Sequence, residues 1–178
     1  RGRDVLLENR VYFDTAGMLS TIINSIYLKN CFNSFSLDSI ICNSFYINEY
    51  IKKETKKKIE KYLSSKNLII FSGGLGMPFF STDTTAAYKS LEFNIKYIFK
   101  VTKVDGVYNK DPFLYSNCNL YSHITYIEVL SKNLKILDKT YSCFCHDNNI
   151  KTFIVNINKF ENIYYFLNNK KALGTLIY

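Results

Sequence analysis

Tryptophan is absent from this sequence, and proline, methionine and histidine occur only twice each. Glycine is scarce as well, with seven residues, and three of these fall together as Gly73, Gly74 and Gly76. Nothing resembles a Pro- or Gly-rich linker, and no internal repeat is visible. The 178 residues therefore read as one domain, 1–178, long enough to bury a core. No apolar run is long enough to span a bilayer, and no signal peptide is visible. The chain opens on Arg1 rather than methionine, which suggests a fragment or a processed product. The five cysteines, Cys31, Cys42, Cys118, Cys143 and Cys145, match no zinc spacing, and their odd number would leave one unpaired in any disulfide scheme. Reduced thiols in a reducing compartment are the simplest account. Cys143, Cys145 and His146 are neighbours in sequence, but a helix would spread them over different faces. No metal-ligand set is expected.

What is present fits a folded, water-soluble protein. Apolar residues make up 47% and charged residues 21%, values outside the range of a disordered tail. Fifteen Tyr and fourteen Phe, with abundant Asn, Lys and Ile, fit an AT-rich coding genome and carry no functional message. The formal net charge of +8 suits an anionic partner: a nucleotide, a nucleic acid or a membrane surface. The excess gathers in Lys52, Lys53, Lys56, Lys57, Lys58, Lys61 and Lys66. A solvated helix face explains that run, and an anion patch is the alternative.

Periodicity gives an alternating pattern. Asp14 precedes apolar residues at Met18, Leu19, Ile22, Ile23, Ile26 and Tyr27, the spacing of a helix that Asp14 would cap. Ser39 to Cys42 reads as a strand, Glu49 to Leu63 as an amphipathic helix, and Leu68 to Phe71 as a buried strand. A helix is expected from Ser81-Thr82-Asp83 through Leu91, a strand over Tyr97 to Val101, and a polar loop from Thr102 to Pro112. Helices over Ile127 to Leu130 and Lys139 to Asn148 follow. A strand over Phe153 to Asn156, a helix over Glu161 to Asn168 and a closing strand from Gly174 to Ile177 complete the chain. This alternation predicts an α/β fold with a mainly parallel central sheet covered by helices on both faces.

Two stretches carry chemistry. In the first, a buried strand runs through Phe71-Ser72 into Gly73-Gly74-Leu75-Gly76-Met77-Pro78-Phe79-Phe80 and then a helix start at Ser81-Thr82-Asp83. Ligands of open α/β sheets bind beyond the carboxyl ends of strands. Glycines allow close approach there, and a helix N-terminus favours an anion. An ordinary tight connection would give the same spacing, because this is neither a Walker loop nor G-x-G-x-x-G. The second stretch, Lys100 to Pro112, also leaves a strand end. It offers two lysines, the Thr102 hydroxyl and the Tyr108 ring, with Asp105-Gly106 and Asp111-Pro112 as turn chemistry. A solvated loop is an equal account of it.

Together the two stretches resemble the bacterial uridylate kinases of the amino-acid-kinase superfamily, whose patterns are GTGNPFFTTD and ATKVDGVYxxDP. Further matches run in order along the chain: Asp14 with Gly17-Met18-Leu19, Thr125 to Leu130, Leu134 to Asp138, Asp147-Asn148-Asn149, and Gly174-Thr175-Leu176. The resemblance implies a three-layer αβα amino-acid-kinase fold and transfer of the γ-phosphoryl group from Mg-ATP to UMP. It implies that Asp14 faces the nucleoside of UMP. Leu75, Gly76, Met77, Pro78, Phe79, Phe80, Ser81 and Thr82 would wrap that acceptor. Asp83 would organise the transfer site, with Lys100 as a candidate for charge cancellation and Asp138 at a further acidic position. Thr102, Tyr108 and Asp111 would line the ATP pocket, and Arg1 would end a phosphate-binding glycine loop. ATP and Mg²⁺ are the implied cofactors. GTP and UTP are implied effectors and a homohexamer the implied assembly. Neither a membrane nor a nucleic acid is expected as a partner. A cytoplasm is the implied compartment, with a plastid or similar organelle as the alternative.

The sequence also departs from that family. Leu75 and Met77 stand where the pattern has Thr and Asn, so two side chains able to read the uracil edge are replaced by ones that cannot. The family's first strand, with its K-x-S-G-E motif, has no counterpart here. The expectation is a sheet lacking N-terminal strands and a chain that is inactive and poorly stable by itself. A related kinase acting on carbamate, glutamate or aspartate is one rival reading, opposed by Pro78-Phe79-Phe80. A non-catalytic nucleotide-binding remnant is the other.

Overall fold

A computed structural model of the chain describes residues 7–49, 51–65 and 68–178. They form two compact units, Arg1–Thr85 and Ala86–Tyr178. Each is α/β with mainly parallel pairing, as the alternating pattern predicts.

The first unit is built on helix α1 (Leu7–Ser34), strand β1 (Ser39–Asn43), helix α2 (Lys56–Ser64) and strand β2 (Leu68–Ser72). The two strands pair in parallel, with Ile41 opposite Ile70. Helix α1 packs against both strands and α2 against β2. Ile22, Cys42, Ile59 and Ile70 are buried in this unit. Two sequence expectations need correction. Asp14 does not cap α1; it sits well inside the helix, because residues 7–13 contain no breaker and Arg10 pairs with Asp14 one turn on. The lysine-rich helix begins at Lys56 rather than Glu49. The preceding residues instead fold back on β1, through a bridge from Asn43 to Lys53 and a turn in which Ile47 donates to the Ile51 carbonyl at 3.0 Å.

Helix α3 (Thr82–Glu92) crosses from the first unit into the second. The second unit continues with β3 (Tyr97–Thr102), β4 (His123–Ile124), α4 (Tyr126–Ser131), α5 (Lys139–Asp147), β5 (Lys151–Asn156), α6 (Glu161–Leu167) and β6 (Thr175–Ile177). Its sheet order among the described residues is β3-β5-β6-β4. Strand β5 is central, and residues 152–155 are buried without alternation, the pattern of a strand covered on both faces. Strands β3 and β5 run parallel, as do β4 and β6. The closing strand β6 runs antiparallel to β5, which hydrophobic spacing does not encode.

Helix ends show how the scarcity of glycine is accommodated. Ser36, Asn94, Asn133, Asn149 and Asn169 all have positive φ, between 50° and 57°. Each stands just past a helix. The following residue then donates back into the last turn: Leu37 to Phe32, Ile95 to Ser90, Leu134 to Val129, Ile150 to Cys145 and Lys170 to Tyr165. This is the closure usually made with glycine, and asparagine is the side chain that best tolerates it.

In the core of the second unit, Tyr126, Tyr141 and Thr152 are buried and joined. The Tyr126 hydroxyl donates to the Ile150 carbonyl at 3.0 Å. It must therefore accept from Thr152 at 2.6 Å, which leaves Thr152 to accept from Tyr141. Burial is the main cause that holds both phenols well above their usual pKa.

Candidate functional site

In the first unit the glycine turn leaves the carboxyl end of β2, beside the carboxyl end of β1. Gly73, Gly74 and Gly76 all have left-handed φ, at 76°, 59° and 74°. At Gly73 an added Cβ would stand 2.4 Å from the Asn43 Oδ1, so Asn43 would have to move, and the left-handed φ disfavours any side chain there. The turn is held from outside itself. The Gly73 N–H donates to the Thr21 hydroxyl on α1 at 2.8 Å, the Ser44 hydroxyl donates to the Gly74 carbonyl, and Gly76 N–H closes onto the Gly73 carbonyl at 3.0 Å. None of Thr21, Asn43 or Ser44 was singled out in the sequence. Their signal was position alone, at the end of a strand parallel to the one that feeds the turn.

Past the turn, Met77, Phe79 and Phe80 are about half exposed, at 51%, 49% and 48%, and Leu75 and Pro78 are half-buried. Phe79 has φ of 72°, an uncommon conformation for a bulky residue. It is tied to α1, where its N–H donates to Asp14 Oδ2 at 2.8 Å. The same oxygen takes Arg10 Nε at 3.3 Å, and the Arg10 guanidinium lies 4.9 Å from the centre of the Phe79 ring. Asp14 and the loop are thus brought together through the Phe79 N–H. Arg10 joins them without having been picked out, although an Arg and an Asp four residues apart on a helix are a readable pair.

The loop ends at a capped helix. Ser81 Oγ accepts from the Thr84 N–H at 3.0 Å, the usual N-cap contact. Thr82 begins α3, with Asp83 in its first turn. An acidic residue there complements the helix dipole.

In the second unit the loop after β3 is anchored on both sides. Thr102 Oγ1 donates to the Val104 carbonyl at 2.8 Å. Asp105 receives Asn156 Nδ2 at 2.9 Å and Lys159 Nζ at 3.0 Å. The Val107 N–H donates to the buried Thr175 hydroxyl at 2.8 Å, and at Gly106 a Cβ would meet that same hydroxyl at 2.3 Å. Tyr108 bridges to Leu120. Burial, and then the charge of Asp105, push its phenol above the ordinary value. Asp111 Oδ1 accepts from the Phe113 N–H at 2.9 Å, a turn closed by its own side chain. Lys100 lies on β3, half-buried. Asp138 Oδ1 accepts from the Tyr141 N–H at 2.7 Å, so Asp138 is the N-cap of α5. Helix α5 buries Cys145 and leaves Cys143 and His146 exposed, as the helical spacing predicts. Arg1 lies outside the described residues.

The family model of the amino acid kinase family matches residues 3–156. The chain belongs to that family, among its uridylate kinases. It is 39% identical over 169 residues to the uridylate kinase of Buchnera aphidicola subsp. Baizongia pistaciae, covering 95% of this chain and 69% of that protein. The uridylate kinase of Pseudomonas syringae pv. syringae is 34% identical over 85% of this chain and 61% of its own length. Among solved structures, the UMP kinase from Ureaplasma parvum has a TM-score of 0.85 at 33% identity, over 92% of this chain and 70% of that one. The UMP kinase from Bacillus anthracis has a TM-score of 0.90 at 26% identity, over 95% of this chain and 70% of that one. The likeness runs through both units and both loops.

Proposed function

We propose that this protein is a UMP kinase, transferring the γ-phosphoryl group of ATP to UMP. The observation that carries the reading is the acceptor loop itself: a turn of three left-handed glycines, tied to Asp14 of α1, running into a Ser81-capped helix. In this reading Asp14 and residues 75–82 hold UMP. Thr82 stands at the positive end of α3, near the acceptor phosphate. Thr102, Tyr108 and Asp111 hold the nucleotide of ATP. Arg1, outside the described residues, keeps its proposed phosphate contact.

The chemistry asks little of a base, because a nucleotide phosphate oxygen is already ionised near neutral pH. Alignment and cancellation of charge do most of the catalysis. Asp83 and Lys100 are the proposed transfer-site residues. Asp138 stands at the further acidic position of the reading, and its side chain is used locally as the N-cap of α5. Mg²⁺, when bound, supplies charge cancellation across the ATP phosphates. In this reading the ion would be held chiefly through those phosphates. Among the described residues no helix is long and apolar enough to cross a membrane. A cytoplasmic or plastid setting, a hexameric assembly and control by GTP and UTP belong to the same reading as what the family resemblance implies.

The test is ATP-dependent phosphorylation of UMP, CMP and AMP by the full-length gene product, with carbamate, glutamate and aspartate as a second panel. Turnover of UMP is expected. Turnover only in the second panel, or binding of nucleotide without turnover, would replace this reading.

A further inference from the structure

We propose that Arg10 is the positioning residue of the acceptor loop, setting the affinity for the nucleoside monophosphate through Asp14 and Phe79. This rests on the UMP kinase reading above. Three observations converge on it. Arg10 Nε is 3.3 Å from Asp14 Oδ2. That oxygen also takes the Phe79 N–H, 65 residues away in sequence, at 2.8 Å. The Arg10 guanidinium faces the Phe79 ring at 4.9 Å. Arg10 therefore touches the loop twice, once through the carboxylate and once through the ring.

The physics gives this arrangement a purpose. Phe79 is held at φ of 72°, which a non-glycine residue keeps only when its surroundings enforce it. Its backbone hydrogen bond and the cation over its ring are the enforcing contacts in the structure. Both pass through Arg10 or through the carboxylate that Arg10 orients. The Arg10 and Asp14 side chains are 25% and 19% exposed, so the pair is shielded and its charges are felt more strongly than at an open surface. Asp14 Oδ1 takes no hydrogen bond among the described residues. One carboxylate oxygen thus holds the loop, and in the UMP kinase reading the same carboxylate faces the nucleoside of the acceptor. Arg10 also offsets the Asp14 charge, which would otherwise repel an incoming phosphate ester. A lysine would restore that charge but not the planar guanidinium that lies over the Phe79 ring.

The experiment compares Arg10→Ala and Arg10→Lys with the natural full-length gene product, reading KM for UMP, KM for ATP, kcat and Tm. Arg10→Ala is expected to raise KM for UMP about tenfold while KM for ATP moves less than about twofold. Arg10→Lys is expected to recover part of that loss. Amide exchange of residues 75–80 should quicken in Arg10→Ala, which reports the loop contact without relying on turnover. An unchanged KM for UMP, or equal changes for both nucleotides, overturns the proposal. So does a fall in Tm as large in Arg10→Lys as in Arg10→Ala, since that marks a purely structural pair. If the natural protein turns over no nucleoside monophosphate, the function reading fails. Exchange that quickens in that case leaves the contact standing with no acceptor to position.

Discussion

At the scale of single residues, the loop after β2 depends on positions that strongly favour glycine. Gly73→Ala puts a Cβ 2.4 Å from Asn43 Oδ1 at a φ of 76°. The backbone conformation alone costs about 1–2 kcal/mol for a residue with a Cβ, and the clash displaces Asn43, which braces the Phe45 carbonyl at 2.6 Å. The expected result is a lower Tm and a raised KM for UMP, measured by thermal melting and steady-state kinetics. In the proposed acceptor site Leu75 and Met77 act in the opposite sense, through what they lack. Apolar side chains discriminate weakly between bases, whereas a site built to hydrogen-bond discriminates strongly. Leu75→Thr with Met77→Asn should therefore raise the preference for UMP over CMP by about tenfold or more, read as a ratio of kcat/KM values. No change in that ratio would mean that backbone groups alone read the base.

At the scale of elements, most of the fold was legible and the failures have physical causes. Strands β1, β2, β3 and β5 and helices α3, α4 and α5 lie where apolar spacing and cap residues put them. Strand β4, only His123–Ile124, is too short to carry a period. The antiparallel pairing of β6 is a tertiary choice. Asp14 read as a cap because Asp is a good one. In the structure its carboxylate instead reaches across to Phe79, a contact 65 residues apart that local spacing cannot report. Both loops were legible as strand-end turns, while their braces, Thr21, Ser44 and Thr175, were not, because each hydroxyl acts from a distant element. Asp138 shows the same ambiguity in reverse. Its side chain caps α5, and removing such a cap costs about 1 kcal/mol. Asp138→Ala should lower Tm accordingly, and Asp138→Asn, which still accepts the Tyr141 N–H, should keep both Tm and kcat. A large loss of kcat in a fully stable Asp138→Asn would instead give the carboxylate a catalytic charge. The asparagines past the helices make an equally local case. Asn149→Ala should cost about 1 kcal/mol by forcing Cβ into a left-handed backbone, and Asn149→Gly should cost nothing.

At the scale of the whole molecule, the net charge of +8 suits an anionic substrate. The two buried phenols give stability an alkaline dependence of their own. Tyr126 and Tyr141 share Thr152 in a relay that ends on the Ile150 carbonyl. Their folded-state pKa values are raised, chiefly by burial. In the unfolded chain both phenols titrate near the ordinary value of about 10. Below that pH, folded and unfolded states hold the same phenolic protons, so this pair gives no slope. Above it the unfolded chain loses protons that the folded chain keeps, and stability falls as pH rises. Denaturant melts of the second unit should therefore be level through neutral pH and weaken above about pH 10. Tyr126→Phe removes one titrating group and should flatten that alkaline fall. The same change leaves the Ile150 carbonyl without its donor, so stability at neutral pH should drop by about 1–3 kcal/mol. The two effects have opposite sign and appear in different pH ranges, so one titration separates them. An alkaline slope that Tyr126→Phe and Tyr141→Phe both leave intact would place the sensitivity outside this relay.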